Sequence, residues 1–171
     1  SKMVTANAVH AIAKTGEPKS IRTIDPFSKD FLLPWNILAR EDSVDVDVQA
    51  FEIANLIVGT TQAEVGIRQS RLLHSVIALT IELGGTLVDA HRALTTFPFL
   101  HHQISESSNP RIRQYFAVEF QQEAQVTKAG VITRIESLLR LPTWRKMFGT
   151  QRKLDFNQFL EKGITIIDIG N

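Results

Sequence analysis

The stretch from Leu72 to Leu83 limits this chain more than any other. It places Leu72, Leu73, Val76, Ile77, Ala78, Leu79, Ile81 and Leu83 on nearly every side of a helix. A helix that is apolar all round has to be enclosed by other elements, so the spacing predicts the centre of a helical bundle. Gly66 begins this helix and Gly84-Gly85 ends it, one glycine being free to take the left-handed C-cap conformation. Thr86-Leu87-Val88-Asp89 then caps the next helix, with Asp where a capping box usually has Glu or Gln.

Other helices follow from the same signals. Val4–Lys14 is alanine-rich with helical spacing and stops at Gly16 and Pro18. Ala50, Phe51, Ala54, Ile57 and Val58 predict a helix over Val44–Val58 with Ser43 or Asp42 as its cap. After the helix capped at Thr86, which runs to about Thr95, Pro98 opens a short one to about Ile104, and Ser105–Ser108 is a polar loop. Asn109 as N-cap and Pro110 at the first position open a helix whose inner face is Ile112, Tyr115, Phe116 and Phe120. Gln121–Gln125 has no apolar period: either that helix continues into the next or a short break lies there. The helix before Pro142 buries Val131, Ile132, Ile135, Leu138 and Leu139 and pairs Glu136 with Arg140. A short basic helix then ends near Gly149. The last helix, Asp155–Lys162, is capped by Asp155 and stapled by Leu154 and Phe159.

Two apolar stretches frame this helical region. Ser20–Ile24 is short and β-prone, and Asp25-Pro26-Phe27 turns the chain. Ile164–Ile169 is a continuous apolar strand of the kind found in parallel sheets. Residues 28–43 form a loop whose cluster Leu33-Pro34-Trp35-Asn36-Ile37-Leu38 anchors it to the core. Two strands are not a complete sheet. The expected architecture is mainly α, a helical bundle framed by short strands and excised from a larger α/β protein. Its parts are an entry section (residues 1–43), an all-helical domain (44–162) and a return strand (163–171).

Composition narrows the chemistry. With 171 residues, 43% hydrophobic and 22% charged, the chain is about one domain and far from the disordered regime. It has no cysteine, which rules out disulfides, thiolate metal sites and a cysteine nucleophile, and fits a reducing cytoplasm. No apolar run reaches the roughly 20 residues of a membrane helix, and the start does not read as a signal peptide. The P-loop pattern G-x-x-x-x-G-K-[ST] and a glycine-flanked nucleophile elbow are absent. Asp168 ends a strand as a magnesium-holding Asp does, but the residues favour a buried strand end. His91, His101 and His102 lack metal-ligand spacing and read as surface or loop histidines. His74, with Ser70 four residues before it, reads as a hydrogen-bonded helix histidine rather than a base.

Charge is the one functional signal in the residues. The net charge is +1, yet residues 109–153 hold nine Lys/Arg and three acids, leaving the rest of the chain at −5. Such asymmetry points to an anionic partner, with affinity set by phosphate contacts if the partner is nucleic acid. The candidate contacts are Arg111, Arg113, Lys128, Arg134, Arg145, Lys146, Arg152 and Lys153. A solvated polar face is the competing reading.

The order of elements resembles the central all-alpha domain of conjugative coupling-protein and HerA/FtsK-like P-loop ATPases. In that family a strand and turn lead to an Asn followed by an aliphatic pair, as in Ile24-Asp25-Pro26-Phe27 and Pro34-Trp35-Asn36-Ile37-Leu38 here. A closing passage follows the helices, matched by Leu141-Pro142-Thr143-Trp144-Arg145-Lys146-Met147-Phe148-Gly149, Leu154-Asp155-Phe156 and Ile164–Ile169. Ile37 departs from the family, which often has proline there. The resemblance spans about residues 20–169. It implies a domain that recognises protein or DNA in type IV secretion and conjugative transfer. The parent would be a hexameric ring ATPase tethered at the cytoplasmic face of the inner membrane, supplying the ATP and magnesium sites. By itself this chain would be a cytoplasmic, monomeric, non-enzymatic module engaging a secretion substrate, a relaxosome protein or DNA. The alternative is a stand-alone DNA-binding helical domain acting through the basic face of residues 109–153.

Overall fold

The computed structural model describes residues 33–60 and 65–154, together with the backbone of Ile21–Ile24 and Ile164–Ile167. These residues are mainly helical. The helices expected at Val4–Lys14 and Asp155–Lys162, the turn at Asp25-Pro26-Phe27 and the strand end at Asp168 lie outside them.

The helices are α1 (Val46–Gly59), α2 (Ile67–Glu82), α3 (Leu87–Thr95), α4 (Phe97–Glu106), α5 (Pro110–Gln114), a π turn π1 (Tyr115–Glu119), α6 (Phe120–Gln122), α7 (Gln125–Leu139) and α8 (Pro142–Phe148). Strands β1 (Ile21–Ile24) and β2 (Ile164–Ile167) pair in parallel, with Ile21 opposite Ile164 and Ile24 opposite Ile167. The long loop is helix-free over its described part, residues 33–45.

Helix α2 is the centre of the body. Leu72, Leu73, Val76, Ile77, Ala78, Leu79 and Ile81 are buried, and α1, α3, α5 and α7 all pack on it. Its two buried hydroxyls are satisfied within the helix: Ser75 Oγ donates to Arg71 O at 2.9 Å and Thr80 Oγ1 to Val76 O at 2.7 Å. Gly84 stops it with φ +66°, the left-handed conformation an L side chain adopts only under strain. The next helix starts at once. Thr86 N donates to Asp89 Oδ2 at 2.9 Å, and Asp89 N donates back to Thr86 Oγ1 at 3.4 Å. This is the expected capping box with Asp in the third position.

Helix α1 differs from expectation in its start and its rotation. Its cap is Asp45, not Ser43 or Asp42, because those residues sit in a turn closed by Val44 N donating to Glu41 O at 3.1 Å. Asp45 has extended backbone, and its Oδ1 accepts Asp47 N at 2.8 Å. The inward residues are Gln49, Ala50, Ala54 and Ile57, whereas Phe51 is 59% exposed. Gln49 turns inward because it fastens the loop, donating to Ala39 O and accepting from Glu41 N.

Asn109 and Pro110 open α5 as expected: Asn109 Oδ1 accepts Arg111 N at 3.0 Å. The π turn that follows is an addition to the sequence reading. Phe120 N–H reaches Tyr115 O, five residues back, and Gln121 Nε2 donates to Phe116 O at 3.3 Å. The wider turn lets Tyr115, Phe116 and Phe120 all stay buried, with ring centroids 5.2 and 5.4 Å apart along the series. The chain then breaks at Glu123-Ala124 before α7. On α7, Glu136 turns to His91 on α3, with Nε2 to Oε1 at 3.0 Å, rather than to Arg140 as its spacing predicts. Packing of α3 on α7 supplies that partner, and Arg140 lies beyond the last helical turn, at the C-cap. Ser105 and Glu106 belong to α4, so the polar loop is confined to Ser107–Asn109.

The loop cluster is anchored as its sequence suggests. Leu38 is fully buried, and Trp35 packs on Phe148 of α8. Trp35 N donates to Met147 O at 3.2 Å and Asn36 N to Arg152 O at 2.8 Å. Asn36, 4% exposed, also donates from Nδ2 to Gly85 O at 3.0 Å and accepts Leu38 N on Oδ1 at 3.0 Å. Its side chain therefore ties the entry loop to the turn between α2 and α3. Among the described residues, no helix is long and apolar enough to cross a membrane.

Candidate functional site

The structure spreads the eight candidate cations over several elements. Arg134 is buried at 8% exposure in α7, where Nη1 donates to Gly130 O at 3.0 Å, and so is no surface contact. Lys128 covers the Phe120 ring, its Nζ 4.2 Å from the centroid. Arg111 in α5 meets Asp47 at 3.5 Å, and Lys153 meets Glu41 at 2.6 Å. Arg113, Arg145, Lys146 and Arg152 are exposed and meet no acid among the described residues. Arg145 and Lys146 occupy the last turn of α8, where cations complement the negative end of the helix dipole. Arg152 and Lys153 follow them in the chain. Of the eight candidates, only Arg134 is turned into the core; Lys128 lies on a ring, and Arg111 and Lys153 share their charge with acids while staying exposed.

Of the histidines, His101 and His102 are exposed on α4. His74 Nε2 donates to the backbone oxygen of Asp47 at 3.1 Å, tying α2 to the first turn of α1. Among the described residues, no group of three or more His, Asp or Glu is placed to hold a metal.

A cleft of about 290 Å³ opens between the start of α1, the middle of α2, α5 and π1. Asp47, Arg71, His74, Arg111, Tyr115 and Glu119 line it. Two ion pairs stand on its walls: Arg71 with Glu119, and Arg111 with Asp47. The chain's one tyrosine, Tyr115, is 6% exposed, and its hydroxyl has no hydrogen-bond partner among the described residues. Burial pushes its pKa up to about 12, the Glu123 and Glu119 carboxylates adding to the shift and Arg71 opposing it. The phenol therefore keeps its proton and stays a hydrogen-bond donor.

Arg71 and Glu119 escaped the sequence reading. Each sits beside a strong apolar pattern, so its neighbours read as core and the residue itself as helix surface. Tyr115 reads there only as part of the inner face of its helix. The π turn, which carries Tyr115 and Glu119 to the cleft, has no signature in the apolar spacing.

The chain matches no family model, no curated protein and no solved structure.

Proposed function

We propose that this chain is the substrate-recognition helical domain of a type IV secretion coupling ATPase, a binding module for conjugative transfer without ATPase activity of its own. The supporting observation is that the chain enters and leaves the helical body at one place. Strands β1 and β2 pair in parallel, and the entry residues Trp35 and Asn36 bond to the exit residues Met147 and Arg152. A parallel pair normally lies inside a larger sheet covered on both faces. A helical body joined to such a pair is what an insertion into an α/β ATPase sheet requires, and the parent would supply the ATP and magnesium sites.

The partner is a secretion substrate or a relaxosome protein, with DNA as the second reading. DNA contact would fall to Arg113, Arg145, Lys146 and Arg152, the candidates that meet no acid and stay exposed. Burial of Arg134 and the acid partners of Arg111 and Lys153 weigh against a stand-alone DNA-binding domain, which needs free cations on one face.

Two titrations test this. The first is anisotropy of labelled single- and double-stranded oligonucleotides across a salt series, with Arg145→Glu/Lys146→Glu as the control. The second is calorimetry with a purified relaxosome protein. Salt-steep oligonucleotide binding lost on charge reversal assigns DNA, and relaxosome-protein binding alone assigns a protein partner. Binding to neither overturns the proposal.

A further inference from the structure

We propose that the cleft between α1, α2, α5 and π1 receives one acidic group, a carboxylate or a phosphate, which takes the place of Glu119 on Arg71 and of Asp47 on Arg111. This assignment does not depend on the reading of the chain as a secretion-ATPase domain.

Both guanidiniums are available at little cost. Arg71 is 53% exposed and Glu119 46%; Arg111 is 87% exposed and Asp47 38%. Exposed pairs of this kind are worth only about 0–1 kcal/mol. The Arg111–Asp47 separation of 3.5 Å is also long for a charge-assisted hydrogen bond. Each guanidinium carries five N–H donors in a planar fork that matches carboxylate and phosphate oxygens two at a time. An incoming acid releases Asp47 and Glu119 to water, which both already touch.

The wall behind the arginines is held in place. His74 Nε2 on Asp47 O fixes the first turn of α1 against α2. The π turn sets Tyr115 in the same lining as Glu119 while Phe116 and Phe120 stay in the core. The Tyr115 ring belongs to that lining, and its hydroxyl is buried without a hydrogen-bond partner among the described residues. The volume of about 290 Å³ lies at the lower end of small-molecule sites, so it holds a compact acidic group rather than a whole nucleotide.

The test is a titration of the 171-residue chain, ¹⁵N-labelled, with inorganic phosphate and separately with acetate, sodium chloride holding the ionic strength constant. Saturable amide shifts confined to Asp47, Arg71, His74, Arg111, Tyr115 and Glu119 are expected. Saturation by phosphate alone assigns a phosphate ligand, and saturation by both anions assigns acidic groups in general. Arg71→Ala/Arg111→Ala lowers the affinity by tenfold or more. Glu119→Gln and Asp47→Asn remove the internal competitors and tighten binding several-fold, an effect a purely structural ion pair does not produce. These two variants keep the side-chain shape and stand as the test if the arginine double variant fails to fold. Shifts that never saturate with either anion overturn the proposal, as does weaker binding by Glu119→Gln.

Discussion

Glu82, in the last turn of α2, holds Ser108 from both its backbone and its side chain. Ser108 N donates to Glu82 Oε1 at 2.6 Å and Ser108 Oγ to the same oxygen at 2.7 Å. Ser107 Oγ reaches Oε2 at 2.6 Å, and Asn109 N reaches Oε1 at 3.1 Å. One carboxylate thus organises the loop that launches α5 and, through it, the π turn. Burial alone would raise the Glu82 pKa. The hydrogen bonds from Ser107, Ser108 and Asn109 outweigh burial and hold it below the ordinary 4.5.

A depressed carboxyl pKa stabilises the fold above the unfolded-state value, and that contribution disappears as pH falls through the folded-state value. Glu82→Gln is therefore expected to cost about 1–2 kcal/mol at pH 7, since hydrogen bonds to a charged group exceed those to an amide. The gap to the unsubstituted protein should narrow below pH 4.5 as its own Glu82 becomes protonated. Urea unfolding at pH 7 and at successively lower pH measures both values, and a gap independent of pH would refute the linkage.

Gly84 and Gly130 should respond to alanine in opposite directions. Gly84 has open space around a Cβ but a φ of +66°, so Gly84→Ala costs about 1 kcal/mol through backbone strain. In Gly130→Ala the new Cβ meets only the far end of the Gln69 side chain, which can swing away. Replacing a glycine inside α7 then stabilises by up to about 0.8 kcal/mol from helix propensity. Thermal melts of the two variants give the comparison.

Asn36 uses its amide as both donor and acceptor inside the fold. Asn36→Ala leaves Gly85 O and Leu38 N without their partner and is expected to cost about 2–3 kcal/mol. Asn36→Asp keeps the acceptor but turns a carboxylate toward a carbonyl oxygen, so it should destabilise at least as much at neutral pH. Tryptophan fluorescence follows the loss, because the Asn36 loop carries Trp35 against Phe148.

Tyr115→Phe removes a buried hydroxyl that has no partner among the described residues. It should leave the protein equally stable or stabilise it by about 1 kcal/mol, whereas most core substitutions destabilise. A measured loss above about 1 kcal/mol would mean that the hydroxyl has a hydrogen-bond partner in the folded protein.

The helix boundaries at Gly84, Thr86, Asn109 and Pro142 were legible because caps and stops act over three or four residues. Thr86 and Asp89 contain both halves of their box, and Asn109 bonds Arg111 two positions on. Burial of α2 was legible because an all-apolar helix has one kind of surrounding. The cleft was not, since Asp47, Arg71, Arg111 and Glu119 become neighbours only when α1, α2 and α5 pack.

What this sequence determined by itself is where most of the described helices lie, how α3 and α5 are capped and which helix is central, because those interactions are short in range and repeat with the helical period. The tertiary structure alone decided how α1 is rotated, with Gln49 inside and Phe51 outside, and where the π turn falls. It also decided that Glu136 meets His91 instead of Arg140 and that Arg134 leaves the basic surface for the core. Those outcomes depend on partners distant in the chain and on the fit between helices, which no local pattern of residues records.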